Sequence, residues 1–303
     1  MPAKIARPSA QTEVGNSRLR VDARYASATL SCSAGEGESP APPRANGEIR
    51  AEFVAHGART RIGRLYETGG LRLRFPKARE ICEGVIVNTA GGVVGGDRAQ
   101  LAFSAAAGAR VVLTTQSAEK VYRADGPPAR IETSLTLGAG AALYWLPQET
   151  ILFNRAALAR SLDVDMAADA SLVACESVVF GRLAMGESCV AGEFRDRWRV
   201  RRAGKLIFAE DTRLDGPAAL LDRPAIGAGA RALATLLYVA PDAPARLEEC
   251  RAALDGAPCE SGVSALDGFL VARLLSPSPE SLRLAILLLF SHLLGRAAPR
   301  VWQ

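Results

Sequence analysis

The sequence is poor in histidine, which limits the active sites it can form. Its 303 residues contain only His56, near the start, and His292, inside an apolar segment close to the end. A Ser-His-Asp or Cys-His constellation would need one of them, and neither lies in a recognisable catalytic setting. The GxSxG and HExxH motifs and the histidine clusters favoured by transition metals are also missing. Hydrolytic catalysis and a tight metal centre are therefore not indicated.

Cysteine pairs at metal-binding or redox spacing, and long apolar runs, are missing too. The six cysteines form no CxxC pair, so neither a zinc ribbon nor a disulfide framework is indicated, and reduced thiols fit best. The longest apolar run, 284–290, is far shorter than the roughly 20 residues of a membrane span. No apolar run of about 7 to 15 residues follows the start, which argues against a secretory signal. We therefore expect a cytoplasmic protein that does not cross a membrane.

Lysine is scarce, and the net charge of +5 comes from arginine. The densest basic segment, FRDRWRVRR at 194–202, alternates arginines with Phe194, Trp198 and Val200. This alternation predicts a strand with arginines on its outer face. No signature of a nucleic-acid-binding module accompanies it. A solvated strand face is favoured over an acidic protein partner, and no nucleic acid is expected.

The pattern of strands and turns predicts a mainly β protein. Residues 1–47 are rich in Ala, Ser, Pro and Arg and are expected to form a disordered tail and linker. A β-rich domain should span 48–303, because short alternating or β-branched segments punctuated by glycine fill 48–215. Segments 263–275 and 280–294 are rich in Leu and Ala and separated by SPSP, which predicts two C-terminal helices.

Three segments of the β-rich part repeat. They begin at 108, 140 and 169 with GARVVLTTQSAEKVYR, GAALYWLPQETILFNR and DASLVACESVVFGR, so the spacing is 32 and then 29 residues. Repeats of this length are typical of units that bury their apolar faces by stacking. Stacked strands resembling a β-helix or solenoid are therefore predicted, with chance similarity as the alternative. Glu149 and Glu176 occupy matching places in the last two segments.

A glycine-rich loop, NTAGGVVGGDR at 88–98, follows an apolar strand. It lacks the Lys and Ser or Thr of a P-loop and the GxGxxG spacing of a dinucleotide site, and no helix pattern follows it. We expect Gly91, Gly92, Gly95 and Gly96 to serve turns with positive φ that position Asp97 and Arg98.

A family resemblance rests on several blocks in order. NTAGGVVGGDR, TTQSAEKVYR, WLPQETILFNR, ESVVFGRLAMGE and the closing GRAAPRVW resemble successive blocks of the urease accessory D/H family. The resemblance implies a non-enzymatic scaffold of stacked strands. It also implies partnership with apo-urease and with the F and G accessory proteins, G being the GTPase, and passage of nickel through an internal channel. No cofactor would be permanently bound, and nickel would be in transit.

The family resemblance makes the acidic residues candidates for a nickel path. Carboxylates bind nickel less tightly than imidazole or thiolate, which suits a passing ion. Glu149 and Glu176 are expected side by side as transient metal ligands. The alternative is that each accepts hydrogen bonds from the backbone of a neighbouring rung or pairs with Arg123, Arg155 or Arg182. The full set of proposed path residues is Asp97, Glu149, Glu176, Glu187 and Asp211.

The predicted C-terminal helix pair is a candidate docking surface for the F accessory protein. Its second helix is apolar on nearly every side, which suggests that a partner covers it. Simple packing on the sheet is the alternative. The residues expected to test this contact are Arg283, Leu287 and Arg296.

Two other functions stay open at this level. An enzyme could use clustered carboxylates as general acid and base, with Glu149, Glu176, Glu187, Glu210 and Asp211 as candidates. A β-solenoid module that binds carbohydrate is the other, although its usual rows of exposed aromatics agree poorly with an aromatic content of 6%.

Overall fold

The structure is a computed structural model that describes residues 44–76 and 81–303. The predicted tail and linker, 1–47, lies outside the described residues except for its last four positions. The first strand begins at Asn46, within that segment. The β-rich domain predicted from residue 48 thus begins two residues earlier in the structure.

The described chain forms two β-sheets. The seven-stranded sheet has the order β14-β13-β11-β8-β5-β1-β2, and the ten-stranded sheet has the order β16-β17-β15-β12-β9-β6-β4-β3, with β10 between β12 and β7. The strands are β1 (Asn46–His56), β2 (Arg59–Thr68), β3 (Leu71–Arg74), β4 (Cys82–Asn88), β5 (Arg98–Ala105), β6 (Arg110–Thr115), β7 (Glu119–Val121), β8 (Ala129–Leu137), β9 (Ala142–Trp145), β10 (Thr150–Leu152), β11 (Ala157–Met166), β12 (Ser171–Phe180), β13 (Glu193–Arg202), β14 (Lys205–Asp215), β15 (Ala232–Val239), β16 (Glu260–Leu266) and β17 (Phe269–Ser276).

The chain passes alternately from one sheet to the other, which confirms the predicted solenoid. Strands β1, β5, β8, β11 and β13 are parallel in one sheet, and β4, β6, β9 and β12 are parallel in the other. Arg110 pairs with Ala142 and Ala142 with Ser171, which reproduces the repeat spacing of 32 and 29 residues. Antiparallel hairpins close both ends of the seven-stranded sheet.

Alternation along the strands places the apolar side chains in separate layers. Leu162, Trp198, Leu143 and Leu172 are among the buried residues that fill the space between the two sheets. A second apolar cluster covers the other face of the ten-stranded sheet, where Val173 and Cys175 contact the C-terminal helical region. Strand β12 is consequently buried on both faces.

Three α-helices lie in the described part of the chain: α1 (Pro217–Leu221), α2 (Leu247–Leu254) and α3 (Pro279–Leu293). The helix predicted at 280–294 is confirmed as α3. Ser278 caps its first turn by accepting a hydrogen bond from the Ser281 amide at 3.2 Å, and Pro279 occupies the first position.

The helix predicted at 263–275 is wrong. That segment forms the antiparallel hairpin of β16 and β17, in which Leu266 pairs with Phe269. The two residues between them, Asp267 and Gly268, form the turn, and Gly268 adopts a φ of +79°. An Asp-Gly pair between two apolar runs is a hairpin signal that outweighs Leu and Ala content. The second helix of the C-terminal region is therefore α2, which precedes the hairpin.

Candidate functional site

A charged cluster lies buried between the two sheets. Glu176 on β12 faces Arg160 on β11, and their side chains are 3% and 6% exposed. The Arg160 Nε atom is 3.0 Å from Glu176 Oε2. Asp196 on β13 accepts two hydrogen bonds from the same guanidinium, from Nε at 3.1 Å and from Nη2 at 2.6 Å. Trp145 on β9 donates its indole N–H to Glu176 Oε1 at 2.8 Å.

The electrostatics of this cluster are unbalanced, because one cation faces two carboxyl groups. Burial raises the pKa of Glu176, although the Arg160 charge and the Trp145 hydrogen bond act in the opposite direction. Burial also opposes the charge of Arg160, but Asp196 and Glu176 together raise its pKa, so it stays a cation. Glu176 Oε2 has no hydrogen bond of acceptable geometry despite its closeness to Arg160. The cluster therefore combines a fixed positive charge with one incompletely satisfied buried carboxyl.

The expected side-by-side placement of Glu149 and Glu176 is wrong. Trp145 pairs with Ala174, and Thr150 pairs with Val178. Between these two pairs the second repeat has one residue more than the third. A slip of one residue moves a side chain to the opposite face of a strand. Glu149 consequently lies in a cavity on the helix side of the sheet, 3.7 Å from Arg283, whereas Glu176 faces the other sheet.

The other proposed path residues have different partners. Asp97 is buried, and its carboxylate accepts hydrogen bonds from the backbone amides of Ala45 at 2.8 Å and Val94 at 2.9 Å. Glu187 accepts from the Asn154 amide at 2.9 Å and pairs with Arg182, and hydrogen bonding by Arg182 lowers its pKa.

The two remaining carboxylates of the acid and base hypothesis lie on β14 and pair with different arginines. Asp211 is 3.8 Å from Arg199, and Glu210 is 2.7 Å from Arg273. Within 44–76 and 81–303, no group of three or more His, Cys, Asp or Glu residues is arranged to hold a metal ion. The carboxylates therefore do not converge as that hypothesis requires.

The glycine-rich loop uses its glycines in two ways. Gly91, Gly92 and Gly96 have positive φ, of 77°, 150° and 86°, as predicted. Gly95 does not, so the predicted reason for its presence is wrong. A Cβ atom at Gly95 would lie 2.6 Å from the Ala124 Cβ atom and 2.8 Å from the Pro127 carbonyl oxygen, so close approach requires glycine there.

The residues chosen to test the docking surface are engaged within the protein. Arg283 donates to Gln148 at 2.7 Å and to the Val301 carbonyl at 3.2 Å, and its guanidinium lies over the Trp302 ring. Arg296 is 3.9 Å from Glu83, and Leu287 is half-buried against the helix-side core. These contacts hold the C-terminus on α3. The exposed apolar positions of this helix are instead Leu284 and Leu288.

Arg160 and Asp196 were missed by sequence reasoning, although a local signal exists for both. Arg160 occupies a buried position of the β11 alternation, between Leu158 and Leu162. Asp196 lies between the buried residues Phe194 and Trp198 of β13. A charge at an inward position of an alternating strand indicates a buried partner. The partner itself lies on another strand and cannot be read from either segment.

The fold and the cluster together define a β-solenoid protein with a buried ion pair in its interior. The family model of the UreD urease accessory protein matches residues 45–303. The chain therefore belongs to the UreD urease accessory protein family, and it has a role in urease maturation.

The relatives agree with this assignment. The urease accessory protein UreD of Beijerinckia indica is 54% identical over 249 residues, which cover 80% of this chain and 92% of that protein. UreD of Xanthobacter autotrophicus is 50% identical, covering 86% and 90% of the two chains, and UreD of Azorhizobium caulinodans is 47% identical, covering 87% and 98%. These relatives are named as accessory proteins, which agrees with a non-enzymatic maturation factor. No helix of the described ranges is long and apolar enough to cross a membrane.

Proposed function

We propose that this protein is a scaffold that binds apo-urease and the F and G accessory proteins and lets nickel pass through its interior to the urease active site. Family membership over 45–303 supports the role in urease maturation. The observation that carries the internal route is the buried cluster of Glu176, Asp196 and Arg160, where two carboxyl groups face one cation. Nickel is cargo in this proposal, and no resident cofactor is required.

The chemistry of Glu176 suits a transient cation contact. Its Oε2 atom lacks a well-oriented donor, so a passing cation could be met by a carboxylate oxygen without breaking a hydrogen bond there. A cation would also favour ionisation of a carboxyl group whose pKa burial raises. Oxygen ligands hold nickel less firmly than thiolates, so the ion can leave. Cys175, the adjacent residue, contacts the helix-side core, so its thiol is not part of this contact.

The route is tested by nickel loading of urease. Glu176→Gln removes the carboxylate but keeps a side chain of the same shape, and Glu248→Gln makes the same change at an exposed position of α2. Each variant is co-expressed with urease and the F and G proteins, and the nickel content of purified urease is measured. We expect normal assembly for both variants and reduced nickel for Glu176→Gln alone. Normal nickel loading by Glu176→Gln would exclude a route through this residue.

For the F accessory protein we propose the exposed ridge of α3, formed by Leu284 and Leu288. These side chains are one helical turn apart on the face that does not contact the sheet, and exposed apolar positions at this spacing suit a helix or groove of a partner. Leu284→Ser with Leu288→Ser should abolish co-purification with the F protein while the chain stays folded. Leu206→Ser on β14 is the matched control at an exposed leucine. Equal recovery of the F protein with both variants would contradict this assignment.

A further inference from the structure

The strand β2 forms one edge of the seven-stranded sheet. It pairs with β1 on one side, and no strand of the described chain pairs with it on the other. Its ten residues therefore present a long row of backbone groups without strand partners. Such an edge is a template on which another extended chain can form main-chain hydrogen bonds.

The inner face of β2 carries apolar side chains that the core does not cover. Ile62 and Leu65 pair in register with the buried residues Phe53 and Ala51 of β1, so they continue the core face of the sheet. They are nevertheless 36% and 42% exposed. Phe75, whose ring contacts that of Phe53 with centroids 6.3 Å apart, is also 38% exposed. The core face thus extends past the last covered strand.

The outer face of β2 carries positive charge. A β-bulge leaves Gly63 without a partner, since Phe53 pairs with Ile62 and Glu52 with Arg64. The bulge places Arg61 and Arg64 on the same face, where strict alternation would separate them. Within the described ranges neither Arg59 nor Arg61 has a carboxylate within 4.0 Å, and Arg64 has only a loose contact of 3.7 Å with Glu52.

We propose that β2 is a docking site for an extended acidic segment of a partner protein, which adds to the sheet as an eighth strand. Acidic residues on one face of that segment would meet the arginines, and apolar residues on the other would cover Ile62 and Leu65. A second copy of this chain fits poorly, because pairing β2 with itself would bring arginines close to arginines.

The other edges of the two sheets differ from β2. The edge strand β3 has four residues and β16 has seven. Strand β14 carries two basic and three acidic residues, whereas β2 carries three arginines and one glutamate. Short or mixed-charge edges are common protective features. The arginines of β2 could serve protection alone, but protection does not require Ile62, Leu65 and Tyr66 to be exposed on the two faces of one strand.

The test uses the full chain and a labelled ten-residue peptide that alternates Glu with Val. A peptide with Lys in place of Glu is its control. We expect the acidic peptide alone to bind, to bind more weakly as salt is added, and to protect β2 amides from hydrogen exchange. Arg61→Glu with Arg64→Glu should weaken binding of the acidic peptide by about tenfold and should allow the Lys peptide to bind. Arg213 on β14 is also an exposed arginine, and Arg213→Glu should change the binding of neither peptide.

Three results would overturn the proposal. The first is that the acidic peptide does not bind at about 1 mM. The second is that it binds but does not protect the β2 amides from exchange. The third is that the chain self-associates and that the Arg61 and Arg64 charge reversals change this self-association. Amide protection in the unmodified chain is decisive even if a reversal variant fails to fold.

Discussion

Replacing Arg160 should destabilise the protein more than replacing either of its carboxylate partners. Arg160→Met removes the cation that contacts both Glu176 and Asp196. The side chains of these carboxyl groups are 3% and 13% exposed, so water cannot replace the lost charge. Removing one partner of a buried ion pair typically costs about 3 to 5 kcal/mol. For a domain of this size that corresponds to a fall in Tm of roughly 10 °C.

Glu176→Gln provides the contrast. It leaves the two hydrogen bonds between Arg160 and Asp196 in place and removes a carboxyl group that is costly to ionise where it lies. We expect the free energy of unfolding to change by about 1 kcal/mol or less. The pKa of Glu176 is raised by folding, so the native protein loses stability as pH rises above the ordinary value of 4.5. The stability of the Glu176→Gln variant relative to the native protein should therefore increase as pH rises.

The measurement is urea unfolding of the purified full chain and the two variants at pH 5 and pH 8. The loss caused by Arg160→Met should be larger at pH 8, because one carboxyl can take up a proton at pH 5 and relieve the repulsion. The reasoning is refuted if Arg160→Met is as stable as the unmodified chain. It is equally refuted if Glu176→Gln loses as much stability as Arg160→Met, since the cluster would then be a simple structural pair.

Three further predictions concern other parts of the fold. Gly95→Val should unfold the glycine-rich loop, because the new side chain would collide with its neighbours. The space around Gly91 is open, so Gly91→Ala should cost only about 1 to 2 kcal/mol of stability, through its positive φ. Equal losses in Tm would contradict this prediction. Trp302→Ala should cost about 3 to 5 kcal/mol, seen as a lower urea midpoint, because the ring is buried and its N–H donates to a backbone carbonyl at 2.9 Å. Burial raises the pKa of Glu119 to about 7, although a hydrogen bond from Asn88 acts in the opposite direction. The stability of the native protein relative to Glu119→Gln should therefore fall between pH 4.5 and about 7 and stay constant above that pH. Parallel pH profiles of the two proteins would contradict this prediction.

The repeat pattern was informative because stacking is a periodic property. Spacings of 32 and 29 residues between apolar segments correspond to the strand register of β6, β9 and β12. Each strand buries one face by alternation, so the parts of the solenoid can be recognised from short stretches of chain. The Ser-Pro pair that starts α3 is local for the same reason, since the cap and first turn involve neighbouring residues.

Local composition was misleading where tertiary pairing decided the structure. Segment 263–275 has the Leu and Ala content of a helix, but β17 lies between β15 and β16 and is buried on most of its length. Strand pairing on both sides and the turn at Gly268 outweigh helix propensity there.

The sequence by itself determined that this chain stacks strands, ends near a long apolar helix and resembles one accessory protein family. Only the tertiary structure decided which charges are buried together. Thr150 pairs with Val178, one residue away from the register that matches Glu149 to Glu176 by residue type, and this difference separates the two glutamates. Arg160 contacts Glu176 from a strand of the opposite sheet, and Asp196 on another strand of that sheet binds Arg160. These two residues lie 16 and 20 positions from Glu176 in the sequence. Contacts across two sheets depend on register and packing, which no local pattern encodes.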